Sequence, residues 1–499
     1  MSIERRRDLV TVAKDFRIAI IGTGFSGLCL GIHLKKLGMK NFVIFEKAEG
    51  IGGTWRENTY PGAECDIPSA LYSFSFERNP NWTHKWSEQP EILEYLEHCA
   101  KKHDLYPHIK FGLEVRGATF DEEAGQWTVE TSDGVKAEFD VVVSGVGQLH
   151  RPRTPEIKGA DTFKGPTFHS AKWDHSVSLE GKRVGSIGNA ASAVQFLPQI
   201  APETKHLTVF QRSANWILPK NDREYTGLEK MLGTLFPPLT NLYRLWIFIR
   251  GWAFLYPLMN QSGGEKAKEQ FRDQALEYLE EKVSDPELRK TLTPTYPIGA
   301  KRILFSDDIL DALTRDNVDV VTSPISHIVE NGLVTEDGTL HELDVMVYAT
   351  GFDTTSFLTP MRIEGRKGVV LNELWAADGA EAYLGITHNG FPNFFMMYGP
   401  NTNLGHNSIV IMIEAQTRYI LSCLNAVSER KAKWLDVKAP IQKSYNEWVQ
   451  ERLSKMIWAS VNRSWYKTES GKITNNWVGR TTEYRKRTKA LDPNDYEFV

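Results

Sequence analysis

Cysteine is scarce in this chain of 499 residues, and the four cysteines present, Cys29, Cys65, Cys99 and Cys423, form no C-x-x-C pair. This spacing excludes a redox dithiol, as found in a disulfide reductase, and a cysteine-rich metal site. Scattered single cysteines are typical of proteins that remain in a reducing compartment. We therefore predict a cytoplasmic protein that binds no metal.

An excess of charge of one sign is also missing. The chain has 59 Lys and Arg against 63 Asp and Glu, a net charge of −4, so it offers no basic field to nucleic acid. Its length and its 41% hydrophobic content predict a globular protein of two or three domains. Arg5 to Arg7 make the N-terminus basic, but no apolar run of signal-peptide length follows them.

Long uninterrupted apolar runs are absent as well. The richest aromatic and aliphatic stretch, 235–259, is interrupted by Arg244 and Arg250 and broken by prolines. A membrane span needs about 20 mostly apolar residues without such interruptions. The pattern predicts a buried or tunnel-lining helix here, with contact to a membrane surface as the alternative.

Glycine-rich turns are present, and the first follows the apolar run Ile18 to Ile21. Its sequence is Gly22-Thr23-Gly24-Phe25-Ser26-Gly27, and a helical pattern comes next. In a dinucleotide-binding loop, Gly22 permits the tight turn, Gly24 lets backbone approach the pyrophosphate, and Gly27 lets the helix pack on the strand. A second apolar run ends at Glu46, where a carboxylate can bind a ribose hydroxyl, and Lys47 adjoins it.

The second turn, Gly188-Asn189-Ala190-Ala191-Ser192-Ala193, follows the strand-like run Arg183 to Ile187. We assign Gly188, Asn189, Ala190 and Ser192 to a second dinucleotide site, although Ala190 places a methyl group where backbone should meet pyrophosphate. The next strand ends at Arg212-Ser213 without an acid. A guanidinium at this place suits the 2′-phosphate of NADPH better than the free ribose of NADH.

Between these turns, Phe163, Gly165, His169 and Trp173 are spaced as F-x-G-x-x-x-H-x-x-x-W, with Asp174 next. The pattern resembles the fingerprint of type I Baeyer–Villiger monooxygenases, which are class B flavoproteins. Three further segments resemble that family: the run from Gly52 to Asp66, the Lys301-Arg302 pair, and Ser464-Trp465-Tyr466. Ala349-Thr350-Gly351-Phe352 resembles the element by which such chains return to the FAD domain.

The resemblance implies an α/β fold with two Rossmann-like dinucleotide-binding domains, one for FAD and one for NADP, and a helical insertion. The implied FAD domain comprises 1–150 and 351–499. The implied NADP domain comprises 151–222 and 297–350, with the insertion at 223–296.

The resemblance also implies roles for single residues. Arg302 and Asp66 are the implied catalytic pair: Arg302 holds a negatively charged oxygen intermediate and Asp66 orients it. Lys301 would bind the NADP phosphate. The fingerprint lies in a predicted linker, where His169 organises the domain joint or handles protons, and Trp173 packs or contacts cofactor. The other implied cofactor contacts are Gly53, Thr54, Trp55, Tyr60, Tyr72, Gly351, Phe352 and Trp465.

The implied reaction uses NADPH to reduce FAD, which then forms a C4a-peroxide with O2. This species inserts one oxygen atom beside the carbonyl of a ketone and gives an ester or lactone. Two alternatives stay open: a flavin monooxygenase acting on sulfur or nitrogen, such as a sulfide, and an NADPH-dependent flavin reductase or electron-transfer protein without oxygenation.

Overall fold

Two five-stranded parallel sheets organise the protein, whose computed structural model describes residues 15–461 and 464–499. The basic stretch from Arg5 to Arg7 lies outside the described residues. Each sheet forms around a short, fully or nearly fully buried strand that a glycine-rich turn follows, as the sequence predicts.

The first part of the chain contributes four strands of the first sheet and an antiparallel meander. Its elements are β1 (Ile18–Ile21), α1 (Phe25–Lys36), β2 (Phe42–Phe45), α2 (Thr54–Glu57), α3 (Gln89–Lys102), β3 (Ile109–Lys110), β4 (Val115–Asp121), β5 (Gln126–Thr131), β6 (Lys136–Phe139) and β7 (Val141–Ser144).

The middle of the chain contributes the whole second sheet, with four helices inserted. Its elements are β8 (Thr167–His169), β9 (Arg183–Ile187), α4 (Ala191–Ile200), β10 (His206–Phe210), β11 (Ile217–Leu218), α5 (Gly227–Leu235), α6 (Pro237–Arg250), α7 (Glu265–Lys282), α8 (Pro286–Leu292), β12 (Leu304–Phe305), α9 (Ile309–Leu313), β13 (Val318–Val321), β14 (Ile325–Val329), β15 (Gly332–Thr335), β16 (Leu340–Glu342) and β17 (Val345–Tyr348).

The last part of the chain returns to the first sheet and covers it. Its elements are β18 (Arg362–Glu364), α10 (Leu371–Asp378), β19 (Phe394–Met396), α11 (Ile409–Glu429), β20 (Leu435–Val437), α12 (Ala439–Leu453), α13 (Thr481–Arg487) and β21 (Tyr496–Phe498).

The two sheets share the order of four strands and differ in the chain position of one edge strand, because β19 follows the other strands of its sheet whereas β8 precedes them. The first has the order β19-β7-β1-β2-β3 and the second β13-β10-β9-β17-β8, with every neighbouring pair parallel. In each, a glycine-rich turn and a helix follow the central strand, β1 or β9, and the next strand pairs beside it. The predicted fold class, α/β with two Rossmann-type units, is confirmed; we call them the first and second Rossmann units.

Two chain segments join the units, and they run side by side. The backbone N–H of Arg153 donates to the carbonyl of Gly351 at 2.9 Å, and that of Asp353 donates to the carbonyl of Arg151 at 2.9 Å. Pro152 and Phe352 form an antiparallel bridge between these bonds. The chain therefore enters and leaves the second unit through one double-stranded connection.

The fingerprint segment is only partly a linker, which corrects the prediction. Thr167–His169 forms β8, the edge strand of the second sheet, and His169 lies opposite Tyr348 of β17. The carbonyl of Pro166, directly before β8, accepts from the backbone N–H of Met346 at 3.0 Å and extends this pairing by one bond.

The stretch 235–259 is not a buried or tunnel-lining helix, so that prediction is wrong. It comprises α6, a π-helical turn Gly251–Leu255 and a 3-10 turn Tyr256–Met259. Apolar side chains surround α6 on all sides, so packing one face leaves the other exposed to solvent. Within the described parts of the chain, no helix combines the length and hydropathy that crossing a membrane requires.

Candidate functional site

One cavity of about 2250 Å³ is lined by residues of both Rossmann units. Every predicted catalytic or cofactor-binding residue except Gly27 lies on its wall. These residues are Gly22, Gly24, Phe25, Ser26, Glu46, Lys47, Gly53, Thr54, Trp55, Tyr60, Asp66, Tyr72, Gly188, Asn189, Ala190, Ser192, Arg212, Ser213, Lys301, Arg302, Gly351, Phe352 and Trp465.

The first glycine-rich turn has the geometry of a pyrophosphate cradle. A Cβ on Gly27 would lie 1.9 Å from the carbonyl oxygen of Gly22, so Gly27 serves helix packing and stays off the cavity wall. A Cβ on Gly24 would have one protein neighbour within 4 Å, the Cα of Gly53 at 3.7 Å. Helix α1 begins at Phe25 without a side-chain cap, which leaves its first N–H groups available to an anion.

Glu46 is fixed by the same turn. Its Oε2 accepts from the backbone N–H of Thr23 at 2.9 Å and from the Thr23 hydroxyl at 2.6 Å, and its Oε1 accepts from the N–H of Ala48 at 2.9 Å. A carboxylate has about four acceptor positions. The buried Glu46 side chain therefore keeps room for a further donor, as a ribose hydroxyl requires.

The second turn is similar in backbone, with Ala190 in place of Gly24 and Ala193 in place of Gly27. Gly188 has φ +109°, and a Cβ there would lie 2.3 Å from the carbonyl oxygen of Ala349, so only glycine fits. Ala190 has φ −83° and ψ −159°, close to the −74° and −169° of Gly24. Any residue can adopt this conformation, so Ala190 adds no backbone strain. Its methyl group lies on the cavity wall, where it can affect what binds.

Two cations lie beyond the second turn. Lys301 donates from Nζ to the hydroxyl of Ser213 at 2.9 Å and lies 4.3 Å from the Tyr296 ring centre. Burial, and then the charge of Arg212, lowers the pKa of Lys301. Among the described residues neither Lys301 nor Arg212 has a carboxylate partner, so both are available to a phosphate.

Arg302 forms an ion pair with Asp66 on the cavity wall, from Nη2 to Oδ2. Burial opposes the charge on the guanidinium, but attraction to the Asp66 carboxylate outweighs it, and the pKa of Arg302 is raised. Lys301 and Arg302, although adjacent in sequence, contact different partners. Arg302 is thus a permanent, oriented cation inside the cavity.

Tyr398 and Tyr466 accompany this cation and were not singled out as site residues from the sequence. Burial raises the pKa of both phenols, so both stay neutral beside Arg302. The Tyr398 hydroxyl donates to Oδ1 of Asn403 at 2.7 Å. The position of Tyr398, two residues after the buried strand β19 at the carboxyl edge of the sheet, was the signal available in the sequence.

The two aromatic residues predicted to bind cofactor in the segment from Gly52 to Asp66 contact different Rossmann units. Trp55 donates from Nε1 to the Tyr72 hydroxyl at 3.1 Å, and Tyr72 packs edge-on against Phe25 at 5.0 Å. Tyr60 donates its hydroxyl to Oε1 of Gln195 on α4 at 2.7 Å. Trp55 and Tyr72 therefore form a wall beside the first turn, whereas Tyr60 links this wall to the second unit.

The fingerprint residues stay outside the cavity wall. A Cβ on Gly165 would lie 2.2 Å from the carbonyl oxygen of Asp344, which explains the glycine. Trp173 packs against Phe168 at 5.1 Å and Phe196 at 5.2 Å, both in the second unit. Phe163 packs in the same unit, beside its small antiparallel sheet.

His169 lies at the joint between the units. Its Nδ1 accepts from the N–H of Ala171 at 3.0 Å, and its ring lies 6.1 Å from that of Phe352 in the returning segment. Burial lowers the pKa of His169, so the ring is neutral at pH 7. These contacts fit a residue that organises the joint.

Trp465 belongs to the C-terminal segment that closes the cavity. Its carbonyl accepts from the Thr354 hydroxyl at 2.6 Å and from Nδ2 of Asn475 at 3.1 Å. Nearby, α11 begins at Ile409 under the Ser408 cap and places Ile409 and Ile413 on the wall. The cavity wall therefore includes this last part of the chain.

The residues present fit FAD and NADPH. Two turns offer uncapped helix N-termini to pyrophosphates, Glu46 has room for a ribose hydroxyl, and Arg212 with Lys301 suits a 2′-phosphate. Among the described residues, no cluster of His, Cys, Asp and Glu could hold a metal ion.

Comparisons with known proteins agree with this geometry. The family model described as flavin-binding monooxygenase-like matches residues 15–240. A Baeyer–Villiger monooxygenase of Streptomyces coelicolor is 42% identical over 496 residues, which is 98% of this chain and 93% of the relative.

Two solved structures share the fold over 97% of this chain and 99% of their own. One is OTEMO in complex with FAD and NADP, with a TM-score of 0.86 and 28% sequence identity. The other is the closed form of cyclohexanone monooxygenase, with a TM-score of 0.86 and 29% sequence identity. With this likeness over almost its full length, the chain belongs to the Baeyer–Villiger monooxygenase family of FAD- and NADPH-dependent flavoproteins.

Proposed function

We propose that this enzyme inserts one oxygen atom from O2 beside the carbonyl of a small-molecule ketone and gives an ester or lactone. The observation that carries the proposal is the Arg302–Asp66 ion pair on the wall of the cavity that both dinucleotide turns share. The names of the similar proteins, a Baeyer–Villiger monooxygenase and cyclohexanone monooxygenase, support the ketone as substrate class.

Arg302 is the proposed catalytic cation. FAD, when bound, accepts hydride from NADPH and activates O2. Ketone oxygenation places negative charge first on the attacking oxygen and then on the carbonyl oxygen. A fixed guanidinium stabilises this charge best where water is scarce, because it needs no reorganisation during the reaction.

Asp66 is the proposed positioning partner of Arg302. It sets the direction of the guanidinium and reduces the net charge of the pair. Tyr398 lies on the cavity wall and Tyr466 lies near Arg302, and neither neutral phenol adds a strong acid that could protonate the oxygen. This arrangement favours a nucleophilic oxygen over release of hydrogen peroxide.

The cofactor assignment follows the two units. We assign FAD to 1–150 with 351–499, and NADPH to 151–222 with 297–350, leaving 223–296 as the insertion. Gly22, Gly24 and Glu46 would hold the FAD pyrophosphate and ribose, while Trp55 and Tyr72 flank the flavin. Asn189, Ala190 and Ser192 would meet the pyrophosphate of NADPH, Arg212, Ser213 and Lys301 its 2′-phosphate, and Trp465 its nicotinamide end.

One experiment separates this function from its alternatives. The purified holoenzyme is incubated with NADPH, O2 and a panel of cyclic, linear and aryl ketones together with a sulfide, and products, NADPH and hydrogen peroxide are quantified. Ester or lactone formation supports the proposal. Oxygenation of the sulfide alone would replace it with soft-nucleophile oxygenation, and peroxide alone across a broad panel would indicate a reductase.

A further inference from the structure

Helices α5 and α6, with Phe236 between them and Phe254 in the π-helical turn after α6, expose large apolar side chains that we call the α5–α6 face. Most of the exposed large hydrophobic side chains among the described residues belong to it. They are Leu228 (61% exposed), Met231 (50%), Leu235 (64%), Phe236 (55%), Leu239 (50%), Leu242 (64%), Leu245 (50%), Trp246 (49%), Ile249 (40%) and Phe254 (51%). Soluble surfaces rarely leave so many adjacent apolar side chains uncovered unless something binds them.

The opposite side of α6 is already occupied. Ile247 packs with Ala70 and Leu71, and Ile67 packs against this group. Arg244, buried on the same side, donates from Nη1 to the Ser73 hydroxyl at 2.7 Å. These contacts fix the rotation of α6, so its outer residues cannot turn inward.

The charges around the α5–α6 face are basic. Among the described residues, Arg78, Lys230 and Arg250 have no carboxylate partner; Arg78 donates to the Pro237 carbonyl at 3.0 Å, and Arg250 lies 4.7 Å from the Trp246 ring centre. Glu229 is the only acid between residues 227 and 259, and its carboxylate accepts from Nη1 and Nη2 of Arg223. The face is thus positive on a chain of net charge −4.

We propose that the α5–α6 face docks on the surface of an anionic phospholipid bilayer. Apolar side chains of a surface helix insert below the headgroups, Trp and Arg sit at headgroup level, and the cations attract anionic lipid. A second copy of the chain fits less well. Twofold pairing of this face would place Lys230 and Arg250 among like charges, with no free acid on the face to neutralise them.

Docking would bring the cavity wall close to the lipid. The inner side of α6 packs on Ile67, which lines the cavity next to Asp66. At its end, the π-helical turn lies against the loop before α11, since a Cβ on Gly251 would lie 2.3 Å from the carbonyl oxygen of His406. Helix α6 and the side chains packed with Ile67 therefore separate the proposed docking face from the catalytic cavity.

Flotation of the holoenzyme with vesicles tests the proposal. Vesicles of phosphatidylcholine mixed with phosphatidylglycerol are compared with phosphatidylcholine alone. The wild type is expected to float with the anionic vesicles, and about 0.5 M salt is expected to weaken this. The variant Leu242→Asp/Leu245→Asp is expected to lose binding at least about tenfold, while FAD content and NADPH oxidation in solution are retained.

Leu374→Asp is the matched control, because Leu374 is 44% exposed on α10, away from this face, and it is expected to leave flotation unchanged. Lys230→Gln/Arg250→Gln is expected to reduce binding to anionic vesicles only. Absence of vesicle binding, or equal binding by the double Asp variant, would overturn the proposal. A dimer in sedimentation velocity that the double Asp variant dissociates would assign the face to a second copy instead.

Discussion

Arg302 and Asp66 form an ion pair although they come from segments on opposite sides of the double-stranded connection. Arg302 lies two residues before β12, beside the second Rossmann unit. Asp66 lies in the first Rossmann unit, in the segment that follows α2. The pair therefore assembles only when both units are in place. Its charge is oriented before any substrate arrives, which is the condition for electrostatic catalysis without reorganisation.

Arg302→Ala is expected to retain NADPH oxidation and lose ester or lactone formation by at least about a hundredfold, as expected for removal of a charge-stabilising group. Gas chromatography of product beside NADPH and peroxide assays measures this. Arg302→Lys, which keeps a charge without the fork geometry, should recover part of the product. Product at the wild-type rate in Arg302→Ala would remove this residue from the mechanism.

Asp66→Ala is expected to lower product formed per NADPH by about tenfold, because the guanidinium loses its orientation. If Asp66 acts through Arg302, the double variant Arg302→Ala/Asp66→Ala should be no worse than Arg302→Ala alone. Additive losses in this double-mutant cycle would show that Asp66 has a separate role.

Arg212→Ala is expected to raise the KM for NADPH by about 10- to 100-fold, the value of a charge-assisted contact to phosphate. The KM for NADH should stay the same, because NADH lacks the 2′-phosphate. Steady-state kinetics with both cofactors measures the change. An equal loss for NADH would place Arg212 elsewhere than at the phosphate.

Ala190→Gly is expected to lower the KM for NADPH by about two- to threefold, since backbone can then approach the pyrophosphate more closely. The φ and ψ of Ala190 suit both residues, so FAD content and thermal stability should remain unchanged. A higher KM would mean that the methyl group contributes a favourable contact.

His406 makes stability depend on pH. Burial, and then the charge of Arg480, lowers the pKa of His406 from 6.5 to about 3. Below pH 6.5 the unfolded chain binds a proton here that the folded protein does not, so stability is lost as the pH falls toward 3. At pH 5 the loss is about 2 kcal/mol.

His406→Leu is therefore expected to reduce the drop in melting temperature between pH 7 and pH 5, measured by thermal denaturation of both proteins. An identical drop in wild type and variant would show that His406 takes up its proton in the folded state.

Several elements could be predicted from the sequence because local chemistry decides them. The strand His206–Phe210 and the glycines of both turns follow from short apolar runs and steric limits within a few residues. The pairing of β1 with β2 and of β9 with β10 follows from the Rossmann pattern itself.

Other features depend on contacts between distant segments, which periodicity does not encode. The hydrogen bond from Tyr60 to Gln195 and the placement of Tyr398 beside Arg302 exist only in the assembled fold. The exposure of α6 is of the same kind. The sequence of an apolar helix predicts burial. Only the folded structure shows that neighbouring segments cover one side of α6 and leave the other side exposed.

The antiparallel pairing of residues 151–153 with 351–353 brings the two ends of the second Rossmann unit next to each other. Its two ends are hydrogen-bonded neighbours, so a short peptide could close the gap left by its excision. The entropic cost of closing such a loop rises only slowly with its length. The strand order of the first sheet would not change. The same point in the chain offers a junction at which the nicotinamide-binding units of related enzymes could be exchanged as whole cassettes.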